Sequence, residues 1–292
     1  MKKLLMSTML IMITVLFAAC GGNNADSNNN EIANNNDIST NENNNEGTES
    51  LTTEEVFTQV TEAYSEIESV KTISKVEQDM DINGEQMSMV NHTDMEYILD
   101  PITVKQDMSV ELPGEGTRNV QVYITEDGYY TYEESQDMWM KFPDSFVEPL
   151  LEQVKMGNDI EMQMNQFESM KDDFELEETD EHYILTFKLS DEDAFNQEVE
   201  KVLESTLPDD FNALGEDIFE SISYEQLEYE MTIDKDTFYV QELNMIMDMT
   251  MDLEGETMKI KQNMETTYTD YNEVEAIEIP EEAIENAQEL NM

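Results

Sequence analysis

Between Thr237 and Leu253 the chain alternates residue by residue. Met245, Met247, Met249, Met251 and Leu253 fall on one side of an extended strand, and Ile246, Asp248, Thr250 and Asp252 fall on the other. Glu254-Gly255 supplies a turn, and Met258, Ile260, Met264 and Tyr268 line the strand that returns. A two-residue loop sets Met251 opposite Met258, Met249 opposite Ile260 and Met245 opposite Met264. Slipping that register by one residue would send the apolar set to solvent, so the pairing is strongly specified. A chain built around this hairpin is committed to an antiparallel sheet with one covered face.

The same pattern recurs upstream. Val76, Met80 and Ile82 lead to Asn83-Gly84, a strong hairpin signal, and Met87, Met89, Met95, Tyr97 and Leu99 follow on the return. That loop sets Met80 opposite Met87. Asp100-Pro101 breaks the pairing. Ile102 to Leu112, Val120 to Ile124, Tyr129 to Tyr132 and Met138 to Phe142 continue an antiparallel meander, and Tyr183 to Leu189 and Leu227 to Ile233 add strands later. Met80-Asp81-Ile82-Asn83-Gly84-Glu85-Gln86-Met87 and Met251-Asp252-Leu253-Glu254-Gly255-Glu256-Thr257-Met258 share Met, Asp, Gly, Glu and Met in register. Duplication and convergence on one hairpin grammar explain this equally well.

Helical spacing appears in six places. Val56, Val60, Ala63, Tyr64, Ile67 and Val70 give one apolar face over Thr52–Val70, opened by a Thr52/Glu55 capping box. Phe146 to Val154 and Ile160 to Met170 follow Pro143. Ser190 or Asp191 caps a helix bearing Phe195, Val199, Val202 and Leu203, and Phe211 to Ile222 adds another piece. The C-terminus, Pro280 to Leu290, reads as an acidic helix with proline in its first turn. The fold class expected is α+β, a strongly curved antiparallel sheet with helices on or in its concave face.

Charge and cysteine usage narrow the function. Fourteen Lys and Arg stand against 69 Asp and Glu, a formal charge of −55. Such a surface repels nucleic acid and anionic headgroups and would attract cations or basic partners. Cys20 is the one cysteine, so no internal disulfide can form. It follows Lys2-Lys3, an apolar run from Leu4 to Phe17, and Ala18-Ala19. That run is shorter than the ~20 residues a transmembrane helix needs, and its layout is that of a secretory signal peptide. Residues 21–50 are largely Asn, Asp, Glu, Ser and Thr, with too little to bury to offset the entropy of ordering. The expected organisation is a signal peptide over 1–19, a disordered tether over 20–50 and a single domain over 51–292.

Leu16-Phe17-Ala18-Ala19-Cys20 resembles a bacterial lipobox. The resemblance implies cleavage before Cys20 and a diacylglycerol, with acyl chains such as palmitate, on its sulfur. The protein would then be a lipoprotein anchored to the extracytoplasmic face of the cell membrane. Losing Lys2 and Lys3, and no acid, would take the formal charge from −55 to −57. From Thr52 onward the chain also resembles an uncharacterised lipoprotein family of low-GC Gram-positive bacteria. The matching pieces are Asp100-Pro101, Trp139-Met140-Lys141, Asp234-Lys235 with Tyr239, Tyr271-Asn272-Glu273, Ile279-Pro280 and Ala283. That family looks similar to LolA/LppX-like carriers, in which an incomplete barrel closed by helices holds acyl chains. The resemblance implies a half-barrel and adds no functional residue beyond Cys20.

Twenty-three methionines are the unusual feature. A Met stripe at strand spacing most often fills a core. It can also line a pliable site for a greasy ligand, and thioethers can bind copper(I). His92 and His182 lie far from the Met ladder, which weakens the copper reading. The candidate ligand-lining residues are Met80, Met87, Met89, Met245, Met247, Met249, Met251, Met258, Ile260 and Met264. Catalysis has little support: there are two histidines, no Gly-x-Ser-x-Gly and no cysteine for nucleophilic work beyond Cys20. Asp81-Ile82-Asn83-Gly84 lacks the later ligands of a calcium loop, and no cofactor is expected. The reading is a non-enzymatic binder or carrier of a hydrophobic ligand. The rival is a fully packed interaction module whose acidic surface meets a basic partner.

Overall fold

The computed structural model describes residues 50–114, 116–151, 171–190, 195, 221–253 and 256–290. The signal peptide, Cys20, the Asn-rich tract and the stretches 152–170 and 196–220, where further helices are expected, lie outside the described residues.

One 12-stranded sheet carries the structure. In chain order the first half contributes helix α1 (Thr53–Tyr64), then β1 (Ser69–Ile82), β2 (Glu85–Leu99), β3 (Ile102–Leu112), β4 (Gly116–Thr125), β5 (Gly128–Glu133) and β6 (Met138–Lys141). The second half contributes β7 (Phe174–Glu178), β8 (His182–Lys188), β9 (Ile222–Asp234), β10 (Val240–Leu253) and β11 (Glu256–Thr269). Helix α2 (Glu281–Asn286) and the short β12 (Gln288–Glu289) end the chain. The order across the sheet is β12-β6-β5-β4-β3-β2-β1-β11-β10-β9-β8-β7. The two halves are therefore limbs joined at one seam, where β1 pairs antiparallel with β11 from Lys71↔Thr269 to Ile82↔Met258. The sheet is curved and unclosed.

Local chemistry sets the register. Asn83 at φ 55° and Gly84 at φ 90° form the primed turn that matches strand twist, and Met80 pairs with Met87. Met251 pairs with Met258, Met249 with Ile260 and Met245 with Met264, as the spacing predicts. The two similar hairpins lie side by side, with Ile82 paired to Met258, and Thr257 N donates to Asn83 Oδ1 at 3.1 Å. Gly128 sits at φ 152°, and a Cβ there would come within 2.7 Å of the Tyr130 ring. The Asp100-Pro101 bond is cis at the β2–β3 turn.

Helix α1 has the predicted capping box: Glu55 N donates to Thr52 Oγ1 at 3.3 Å and Thr52 N to Glu55 Oε2 at 2.8 Å. It is shorter than its apolar spacing suggests. Val70 lies in β1, because pairing of Ser69–Ile82 with both neighbours takes that segment for the sheet. The C-terminal helix is shorter too. Ala287 turns extended, Gln288 and Glu289 pair parallel with β6, and Leu290 N donates to Lys141 O at 3.0 Å. An open sheet edge outcompetes another helical turn. Overall the described residues are mostly β with few helices, where α+β is the sequence expectation. Residues 147–151 are helical after Pro143, in the direction the spacing predicts.

Candidate functional site

Paired residues in neighbouring strands share a face, so the register sorts side chains directly. On the core face β1 presents Thr72, Ser74, Val76, Gln78 and Met80, and β11 presents Ile260, Gln262, Met264, Thr266 and Tyr268. β10 adds Leu243, Met245, Met247, Met249 and Met251. β2 adds Met87, Met89, Asn91, Thr93, Met95 and Tyr97. All ten candidate ligand-lining residues thus lie on one face of four adjacent strands. Met80, Met245, Met247, Met249, Met251 and Ile260 are at most 5% exposed, whereas Met87, Met89, Met258 and Met264 are only partly buried.

The same face differs between the limbs. Over β7–β11, Val56, Phe57 and Val60 of α1 join Leu185, Phe187, Leu227, Met231, Ile233 and the β10 methionines in one cluster. Phe57 meets Phe174 edge-on at 5.2 Å. Over β2–β5 a smaller cluster of Tyr97, Val104, Val122 and Ile124 is flanked by partly buried Met95, Met108 and Val120, with Leu150 and Leu151 packed against it.

A polar belt runs between them along the seam. Gln78 Nε2 donates to Gln262 Oε1 at 3.4 Å, and Thr266 Oγ1 donates to Ser74 Oγ at 3.0 Å. Beside it on β2, Asn91 Oδ1 is shut off from solvent with no hydrogen-bond partner, and Thr131 Oγ1 on β5 is in the same state. Neither was anticipated. Asn91 pairs with Val76 and Val110, which places it on the core face once the register is known.

The opposite face is ionic. Lys105 Nζ lies 3.3 Å from Glu96 directly across β2/β3, and Lys261 pairs with Asp248 across β10/β11. Two hollows of about 380 and 480 Å³ lie mainly on that side, one beside Asp79, Asp248 and Lys261, the other beside His92, Asp94, Asp107 and Glu134. Among the described residues no group of three or more His, Cys, Asp or Glu is placed to hold a metal ion. His182 Nε2 sits 3.1 Å from Gln241 Oε1, remote from the methionines.

Partly buried tyrosines close one end of the seam. Tyr64 Oη and Tyr271 Oη are 3.0 Å apart, Tyr271 donates to Val240 O at 2.5 Å, and Tyr239 stacks on Tyr271 at 4.4 Å. Burial pushes Tyr268 up to about 12 and raises Tyr64, Tyr229 and Tyr271 well above the usual phenol range.

The segments that carry the family resemblance turn out to be latches. Asn272 Oδ1 accepts from Glu68 N at 2.6 Å and its Nδ2 donates to Glu66 O at 3.3 Å, fixing the α1–β1 connection. Asp234 Oδ1 accepts from Thr237 N at 2.8 Å and Asp236 N at 3.1 Å; burial works to raise its carboxyl, but these bonds outweigh it and lower it. Trp139, Tyr123 and Tyr130 lie on the outer face of β4–β6 beneath Ala283, Ile277 and Ile279.

A covered methionine face on an open, curved antiparallel sheet defines a mostly β protein whose distinguishing surface is apolar. The chain belongs to a family of unknown function, DUF6612, whose model matches residues 52–288. No curated protein matches the sequence significantly. Similar solved structures include LprF from Mycobacterium bovis, at 10% identity and TM-score 0.39, covering 78% of this chain and 96% of that one. A DUF1329 family protein from Desulfovibrio piger has 8% identity and TM-score 0.23, covering 74% and 92%. A β-barrel-like DUF1849 protein from Brucella abortus has 9% identity and TM-score 0.22, covering 70% and 100%. Among the described residues no helix is long and apolar enough to cross a membrane.

Proposed function

We propose that this protein is a lipoprotein anchored through Cys20 to the extracytoplasmic face of the membrane, and that it binds or carries a hydrophobic, lipid-like ligand without catalysing a reaction. One observation carries the reading. The apolar face continues from the sealed C-terminal limb onto β2–β5, where Met87, Met89, Met95 and Met108 are only partly buried. Flexible thioethers at a half-open apolar surface can remodel around a chain of methylenes. Met80, Met245, Met247, Met249, Met251 and Ile260 form the floor of this site, and Met87, Met89, Met258 and Met264 its accessible margin. The lipobox resemblance accounts for delivery to the membrane.

The test is mass spectrometry of an organic extract of protein purified from its own membrane, beside fractionation of a Cys20→Ala variant. Co-purifying lipid in roughly molar amount and release of the variant into the soluble fraction are expected. A lipid-free protein that binds no apolar probe, or a variant that stays in the membrane, would overturn the respective half of the proposal.

A further inference from the structure

Resting on that reading, we infer that the ligand is a neutral amphiphile that donates a hydroxyl hydrogen bond to Asn91, and not an ionised fatty acid. Asn91 Oδ1 is buried without a partner on the core face. Register places Val76 and Val110 directly opposite it, with Met89 two residues along β2 and Met108 diagonal to it on β3. Buried acceptors are nearly always paired, and leaving one unmade is costly. The site is thus an unmet demand for a donor, set between the apolar Val76, Val110 and Met108 and the polar belt of Ser74 and Gln78.

The residues around it explain how a ligand reaches it. Met89, Met108 and Met264, the last in line with Asn91 across Val76, are all partly buried. Unbranched side chains with three rotatable bonds can swing aside where the valines cannot. The ligand's chain would then lie over Met95, Met108 and Val120 and its head at the polar belt.

Charge decides the class of head. A carboxylate has no proton to give at neutral pH, and this chain's charge of −55 repels anions. An ester or ketone offers acceptors only. An alcohol, or a glyceride with a free hydroxyl, supplies the missing proton without bringing charge.

Titration calorimetry at pH 7.5 on the full mature chain carrying Cys20→Ala, with dodecanol, dodecanoate, dodecyl acetate and dodecane, separates the possibilities. Dodecanol should bind about tenfold tighter than the other three, the order expected for satisfying one buried acceptor. Asn91→Leu should erase that preference and leave dodecane binding within about twofold. Equal binding of alcohol and alkane, tightest binding of dodecanoate or the ester, or survival of the preference in Asn91→Leu would overturn the inference while the hydrophobic site stands. Binding of none of the four would overturn both.

Discussion

The two limbs of the sheet share one face, one curvature and one run of methionines, yet they solve burial differently. In the C-terminal limb, Val56, Phe57 and Val60 of α1 share one core cluster with β7–β11, and Phe57, Leu185, Leu227, Ile233 and Met247 are each at most 3% exposed. In the N-terminal limb, the buried set over β2–β5 is Tyr97, Val104, Val122 and Ile124, and the methionines beside it stay partly buried. A strand pattern specifies which face is apolar. It does not specify how completely that face is covered, which depends on what the chain lays over it. The seam marks the change with paired glutamines, flanked by Met89 and Met247, and paired hydroxyls, flanked by Thr93 and Leu243.

The largest effect should come from uncovering the sealed limb. Phe57→Ala removes an aromatic ring that is 1% exposed and meets Phe174 edge-on, and should cost about 3–5 kcal/mol in urea unfolding. Met108→Ala in the open limb should cost about 1 kcal/mol, because its surroundings are already partly solvated. Equal losses would abolish the distinction between the limbs.

Overpacking gives a second contrast. Met247 is 2% exposed within the large cluster, so Met247→Trp should destabilise by about 1–3 kcal/mol. Met89→Trp at the margin should leave stability within about 0.5 kcal/mol and weaken binding of an apolar probe. A neutral Met247→Trp would mean that the floor under α1 is hollow.

A third difference is confined to alkaline solution. Tyr268 is raised by burial to about 12, against about 10 in an unfolded chain. The folded state therefore favours the neutral phenol; its contribution is complete below pH 10 and is lost as pH rises toward 12. Burial also raises Tyr123 and Tyr129 in the other limb, though not as far, so hydrogen exchange between pH 10 and 12 should show β10 and β11 opening before β3 and β4, and Tyr268→Phe should shallow that loss. Simultaneous opening of both limbs would show that these phenols do not set the order.

Most of the sheet was legible because period two and turn chemistry act locally. Asn83-Gly84, the Met251–Met258 register and the Thr52/Glu55 box need only a few residues to declare themselves. What stayed hidden depends on partners distant in sequence. β7 (Phe174–Glu178) carries three acids among its five residues, and only its pairing with β8 makes it a strand. The short β12 exists because β6 leaves an edge within reach. The strand Met138 to Phe142 is legible, but not that the cover of its Trp139 is the C-terminal segment on the outer face. For the candidate site, alternation placed ten residues on one face, but Asn91 is one polar residue among strand polars until the register shows that it points inward.

The smallest of these effects tests the cover itself. Helix α1 is held at its start by reciprocal bonds between Thr52 and Glu55, and removing an N-cap hydroxyl typically costs about 1 kcal/mol. Thr52→Ala should therefore lower stability by about that amount and speed hydrogen exchange in the first turn of α1 and in the β9–β10 core beneath it. Exchange in β3 and β4 should not change, since α1 contributes nothing to their cluster. The same box predicts an acid dependence. The Thr52 backbone N–H, and then its hydroxyl, hold the Glu55 carboxyl below its ordinary value. The stabilisation is thus present above the usual carboxylate range and is lost as pH falls through the lowered value. Thr52→Ala, which keeps the backbone N–H, should only shallow that acid-side slope, and Glu55→Gln should abolish it. If the slope survives in Glu55→Gln, Glu55 is not what couples pH to the helix, and the cover of the sealed limb is held by packing alone.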